Sequence, residues 1–109
     1  MRVLLDECLP RRLKREVDAG SVRTVPEAGW AGTKNGTLLR LAEQEFDVLL
    51  SADQGLEYQQ NLGQIVLAVI VMIARTNDID DLRPLMPAVN DALKKIGPGE
   101  VVHVGPATP

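Results

Sequence analysis

The sequence predicts an α/β fold with three layers, a mainly parallel sheet between helices, in the strand order 2-1-3-4 with a candidate fifth strand at its C-terminal edge. Three observations predict it. Short aliphatic runs alternate with helical patterns along the whole chain, which implies parallel strands joined by right-handed crossovers. The longest run, residues 65–74, is apolar without alternation, as in a strand covered on both faces. Acidic residues stand directly after the first and third runs, at the edge where such sheets bind ligands.

The elements follow in order. Residues 2–5 form a short apolar strand. Residues 10–19 predict a helix: Pro10 suits its first turn, Leu9, Leu13 and Val17 repeat every four residues, and Gly20 ends it. Residues 22–25 are a second strand, followed by a loop with Gly29, Trp30 and Gly32. Asn35 is expected to cap a helix reaching about Phe46, with Leu38, Leu39, Leu41, Ala42 and Phe46 inward. Residues 48–51 are the third strand, 53–62 a polar, partly helical segment, and 65–73 the fourth strand. Residues 78–96 are helical, broken or restarted at Pro84 and Pro87. Gly97-Pro98-Gly99 turns the chain into the edge strand, residues 101–104. Residues 1–109 read as one domain, without repeats or linkers.

Composition narrows the classes. A chain of 109 residues buries roughly two-thirds of its unfolded surface and needs no staples. Only 3% of residues are aromatic, so the core is aliphatic. Cys8, the single cysteine, excludes an internal disulfide and a cysteine zinc cluster. The opening lacks a signal-peptide pattern, and the longest apolar run is too short to span a membrane. A cytoplasmic protein with no membrane partner is expected. The net charge of −3 argues against a protein that simply coats nucleic acid. A local basic patch beside an acidic site stays open.

In the expected strand order, strands 1 and 3 are neighbours, so Asp6 and Glu7 meet Asp53. Two such charges about 4 Å apart repel by about 1 kcal/mol in water and about 4 kcal/mol at an effective dielectric near 20. A cation among them, or a shared proton, relieves that cost. Oxygen ligands with open positions suit Mg²⁺ or Mn²⁺, which can orient and polarise a phosphodiester and activate water. Metal-dependent phosphodiester hydrolysis is the functional reading, with Asp6 and Asp53 as catalytic candidates. A plainer reading stands beside it. Asp6 or Glu7 faces a helix N-terminus or solvent, and Asp53 caps the next segment.

The opening V-L-L-D-E-C-L-P, the segment G-W-A-G-T-K-N-G-T-L-L-R-L-A-E and the stretch V-L-L-S-A-D-Q-G-L resemble the PIN-like domain family of small bacterial proteins, related to the toxins of toxin–antitoxin pairs. The resemblance covers about residues 2–75. It implies a PIN-like fold, a Mg²⁺- or Mn²⁺-dependent ribonuclease, an RNA substrate and an antitoxin-like partner protein; a second copy of the chain is a further candidate partner. By this resemblance Asp6 matches the first acid, with Glu7 beside it, and Asp53 matches the acid after the later strand. Asn35 stands where family members often carry an acid, and Thr37 where Glu is common. The implied metal set is Asp6, Glu7, Asn35 and Asp53. Asn35 can coordinate through its amide oxygen but brings no charge, and Lys34 beside it could replace a cation electrostatically.

Other residues carry two readings. Arg11, Arg12, Lys14 and Arg15 hold an RNA backbone or form a solvated face. Gln54, Gln59, Gln60 and Asn61 bind a ligand or form polar surface. Trp30 stacks on a base or plugs the sheet edge. His103 reads as structural, and a buried Cys8 near carboxylates reads as inert. Ser51 has no histidine partner in view, so serine hydrolysis is unsupported. Two other functions compete with the ribonuclease. One is a non-catalytic PIN-like module that binds protein or RNA, favoured by Asn35 and Thr37. The other is a receiver-type phosphoacceptor domain. Against the latter, Asp53 lies beyond its strand, no Lys follows the last candidate strand and no Met-Pro turn follows Asp53.

Overall fold

The aliphatic runs pair into one sheet. In the computed structural model, which describes residues 1–56 and 62–105, five strands lie in the order β2-β1-β3-β4-β5 with every neighbouring pair parallel. They are β1 (Arg2–Leu5), β2 (Ser21–Thr24), β3 (Val48–Ser51), β4 (Ala68–Met72) and β5 (Val101–Val104). The α-helices are α1 (Asn35–Glu45), α2 (Ile79–Leu82) and α3 (Met86–Lys95), and 3₁₀ turns lie at Arg11–Glu16, Leu62–Gln64 and Arg83–Leu85. β1 pairs with both β2 and β3, in the register Leu5↔Thr24 and Leu5↔Leu50. The chain thus leaves β1 toward one edge and returns on its other side, which is the switch point expected from the sequence.

Successive strand residues point to opposite faces, and both faces are apolar. Leu4, Leu49, Val69 and Val71 pack with Leu38, Leu39 and Ala42 of α1 and with Phe46. Val3, Leu5, Val48, Leu50, Ile70 and Met72 pack on the other face with Leu13 and with Ile79, Leu82, Met86, Val89 and Leu93. Each such Leu, fully buried, contributes about 1.5–3 kcal/mol. Two faces of core explain why the strands lack a polar alternation. Among the described residues, no helix is long and apolar enough to cross a membrane.

Several elements differ from the sequence reading. The helix expected over residues 10–19 is a 3₁₀ helix of six residues, Arg11–Glu16, with Pro10 before it. Leu9, Leu13 and Val17 are buried as expected. The chain leaves as extended backbone at Val17, and Asn90 of α3 takes over the end of the turn. Its Oδ1 accepts from the Asp18 backbone N–H at 2.8 Å, and its Nδ2 donates to the Glu16 carbonyl at 3.0 Å. Asn35 does not cap α1. Lys34 is the cap residue, because the Leu38 N–H already bonds to the Lys34 carbonyl, and no side-chain cap is made. The fourth strand is shorter than its apolar run: Val66 is 65% exposed, and its N–H donates to Glu43 Oε2 ahead of the strand. Gln59, Gln60 and Asn61 lie outside the described residues.

Candidate functional site

The two acids that follow neighbouring strands end up at one cavity. Asp6, Glu7 and Cys8 follow β1, Asn35 opens α1, and Ala52, Asp53 and Gln54 follow β3; with Thr33, Leu38 and Asn77 they line a cavity of about 470 Å³ at the carboxyl edge of the sheet. All four residues of the expected metal set are among them. Thr37 and Lys34 are exposed and do not line it.

Ser51 organises this edge. The Asp6 N–H extends the β1–β3 ladder by donating to the Leu50 carbonyl at 2.9 Å, which sets Asp6 beside the end of β3. The Ser51 hydroxyl, fully buried, donates to Asp6 Oδ2 at 2.8 Å. It also accepts the Asp53 backbone N–H at 3.0 Å. A hydroxyl has one proton to give. With that proton on Asp6, Ser51 Oγ is the acceptor in its 3.7 Å contact with Cys8 Sγ, and the thiol donates. Cys8 Sγ accepts from the Ala52 N–H at 3.4 Å. Burial pushes the Cys8 thiol up from its ordinary pKa, and the charges of Asp6 and Asp53 add to the rise. A protonated, inert thiol is the outcome expected from the sequence.

The carboxylates also carry structural bonds. Asp6 Oδ1 accepts from the Glu7 N–H at 2.9 Å, and Asp53 Oδ1 accepts from the Gly55 N–H at 2.9 Å, an Asx-type turn. Glu7 Oε1 accepts from the Gly32 N–H at 2.7 Å and so ties the glycine loop to β1. Gly32 sits there at φ +76°, a conformation L side chains rarely adopt. The plainer reading thus holds for Asp53, whose Oδ1 caps the following turn, whereas both Asp6 oxygens accept bonds and Glu7 reaches the glycine loop rather than a helix N-terminus. An ionised carboxylate offers about four lone-pair sites, so these bonds leave coordination capacity. Among the described residues, no group of three or more His, Cys, Asp or Glu side chains converges tightly enough to hold a metal ion.

Trp30 is not a cavity residue. Its ring meets Phe46 edge-on, with centroids 5.9 Å apart, and closes the core beside α1. His103 lies on β5, level in register with Val71 and so with Ser51, two strands from β3, and does not line the cavity. Two residues of this edge escape the sequence reading: Ser51, buried behind the cavity, and Asn77, which lines it. Ser51 was weighed only as a nucleophile. Asn77 was not weighed, although it follows β4 at the same edge of the sheet and the strand-end rule points to that position. No protein-family model, curated protein or solved structure matches this chain.

Proposed function

We propose that this protein is a weak, metal-dependent ribonuclease of the toxin type, with a PIN-like fold and with Asp6 and Asp53 as its reacting pair. The observation that carries the reading is the convergence of Asp6, Glu7, Asn35 and Asp53 on one cavity at the switch point of a parallel sheet. Asp6 and Asp53 would hold a Mg²⁺ or Mn²⁺ ion, with Asn35 as a neutral ligand. Such an ion polarises a phosphodiester and lowers the pKa of a bound water. The chain supplies the positioning: Ser51 holds the Asp6 carboxylate and the Asp53 backbone together. Two charged ligands in place of three make the affinity low and favour Mn²⁺ over Mg²⁺, by the intrinsic affinity order for divalent ions. An antitoxin-like protein is the natural partner of such a domain.

The same ligand count favours a second reading, a non-catalytic module that keeps the fold and binds RNA or protein. Calorimetric titration with Mn²⁺, run with cleavage of a mixed RNA, decides between them. The ribonuclease predicts weak Mn²⁺ binding that Asp6→Asn abolishes and Asn35→Asp strengthens. It also predicts metal-dependent cleavage lost in Asp53→Asn. Absence of Mn²⁺ binding in both the wild type and Asn35→Asp would leave the binding module. Cleavage surviving both Asp6→Asn and Asp53→Asn would place the chemistry elsewhere.

A further inference from the structure

Four of the twelve Lys and Arg residues fall within five positions, Arg11, Arg12, Lys14 and Arg15, in a chain whose net charge is −3. The fifth position, Leu13, is fully buried and pins the turn to the sheet, so the four cations face outward. Together they line a shallow groove of about 660 Å³. In a 3₁₀ helix, side chains three apart eclipse. Arg11 therefore stands over Lys14, and Arg12 over Arg15. An α-helix would have paired Arg11 with Arg15 instead.

The two rows differ in charge. Glu27 takes the first: its carboxylate lies 3.0 Å from Lys14 Nζ and 3.9 Å from Arg11 Nη2. Glu16, on the same turn, is held by Arg83 at 3.8 Å. Among the described residues, no acidic side chain pairs with Arg12 or Arg15, and both are exposed. The second row is therefore an uncompensated pair of arginines whose backbone positions stand about 6 Å apart along the helix axis, at about 2 Å rise per residue. That is of the order of the spacing between successive phosphates on one strand. Guanidiniums bind phosphate oxygens bidentately.

The groove that both rows line meets the acidic edge through Arg11 of the first row. Asp6 and Glu7 line both the acidic cavity and a neighbouring cavity of about 370 Å³ that Leu9, Thr24, Pro26, Glu27 and Arg11 complete. Arg11 in turn lines the basic groove. We infer that the 3₁₀ turn is a phosphate-backbone track: Arg12 and Arg15 hold successive phosphates of a single RNA strand whose continuation enters the acidic cavity. This rests on the reading of that cavity as an RNA site. Glu27 sets the strength of the track by occupying the other cationic row.

The test is fluorescence anisotropy of a labelled, unstructured oligouridylate with the full chain in EDTA, where no cleavage can occur, over a range of salt. Each phosphate contact contributes about 0.7 to the slope of log affinity against log salt for single strands. Arg12→Gln/Arg15→Gln should weaken binding at least tenfold at low salt and lower the slope by about 1.4, two contacts' worth. Arg12→Lys/Arg15→Lys should restore the slope, and Glu27→Gln should tighten binding. Wild-type binding without salt dependence, or a double Gln variant that binds like wild type, would overturn the track. Binding to phosphatidylserine vesicles but not to the oligonucleotide would also overturn it. Failure here is separable from failure of the ribonuclease. RNA binding in EDTA without Mn²⁺-dependent cleavage rejects the enzyme and keeps the track. Cleavage that needs Asp6 but is indifferent to Arg12 and Arg15 rejects the track and keeps the enzyme.

Discussion

Ser51 is the side chain on which most of the geometry of the acidic edge depends. It joins Asp6, Asp53 and Cys8 through one buried oxygen. Ser51→Ala would strand the Asp53 N–H and release the Asp6 carboxylate. An unsatisfied buried group costs about 1–3 kcal/mol, so urea unfolding should show a loss of that size, and any Mn²⁺ affinity should fall with it. A variant as stable as wild type would mean that water replaces the hydroxyl. The acids were legible in the sequence because each follows an apolar run at the edge where ligands bind. Ser51 was not, because its partners come from the register of β1 against β3, Leu5 opposite Leu50. That register joins residues 45 apart, and no spacing within a single segment encodes it.

At the scale of elements, the strands were readable to within a residue except β4, whose apolar run starts three residues before the strand, and the first helix was not. Residues 10–19 carry a four-residue apolar repeat, and Leu9, Leu13 and Val17 are all buried. What stops an α-helix is tertiary: the Asn90 side chain captures the Asp18 N–H and the Glu16 carbonyl, and the chain turns away into β2. Asn90 lies 72 residues from Asp18 and 74 from Glu16, beyond any local pattern. Asn90→Ala removes both bonds and should cost about 1–3 kcal/mol, read as a lower urea midpoint at unchanged m-value. It should also weaken oligouridylate binding in EDTA, since the clasp fixes the end of the turn that presents Arg12 and Arg15. Full stability in Asn90→Ala would show that Leu13 alone holds the turn.

For the whole molecule, two carboxylates are held below their ordinary range and tie its stability to pH. Glu27 is held down to about 2 from an ordinary 4.5, first by the Thr24 backbone N–H and then by Lys14. Asp47 is also lowered, by the Arg2 backbone N–H and then its guanidinium. Both groups bind protons less readily folded than unfolded, so their stabilisation is complete above the ordinary carboxylate range and is lost as pH falls. For Glu27 the window runs from about 4.5 down to about 2. Thermal unfolding followed across that window should show the melting temperature dropping in the wild type. Glu27→Gln should flatten part of the drop, and identical pH profiles for the two proteins would remove Glu27 from the account.

The pairing of β1 with β3 also has a kinetic meaning. Closing a loop of 45 residues costs on the order of 3 kcal/mol of chain entropy before the contacts it permits are made. β1 and β2, whose partners Leu5 and Thr24 are 19 residues apart, zip for only about 1 kcal/mol less, but a chain folded only that far carries Asp6 without Asp53. On the ribonuclease reading, half a site would bind no ion and cut no strand. The appearance of the acid pair and the longest loop closure among the strand pairings are therefore one event. The rate at which Cys8 becomes shielded from a thiol reagent during refolding, as Ser51 and Ala52 arrive beside it, times that event directly.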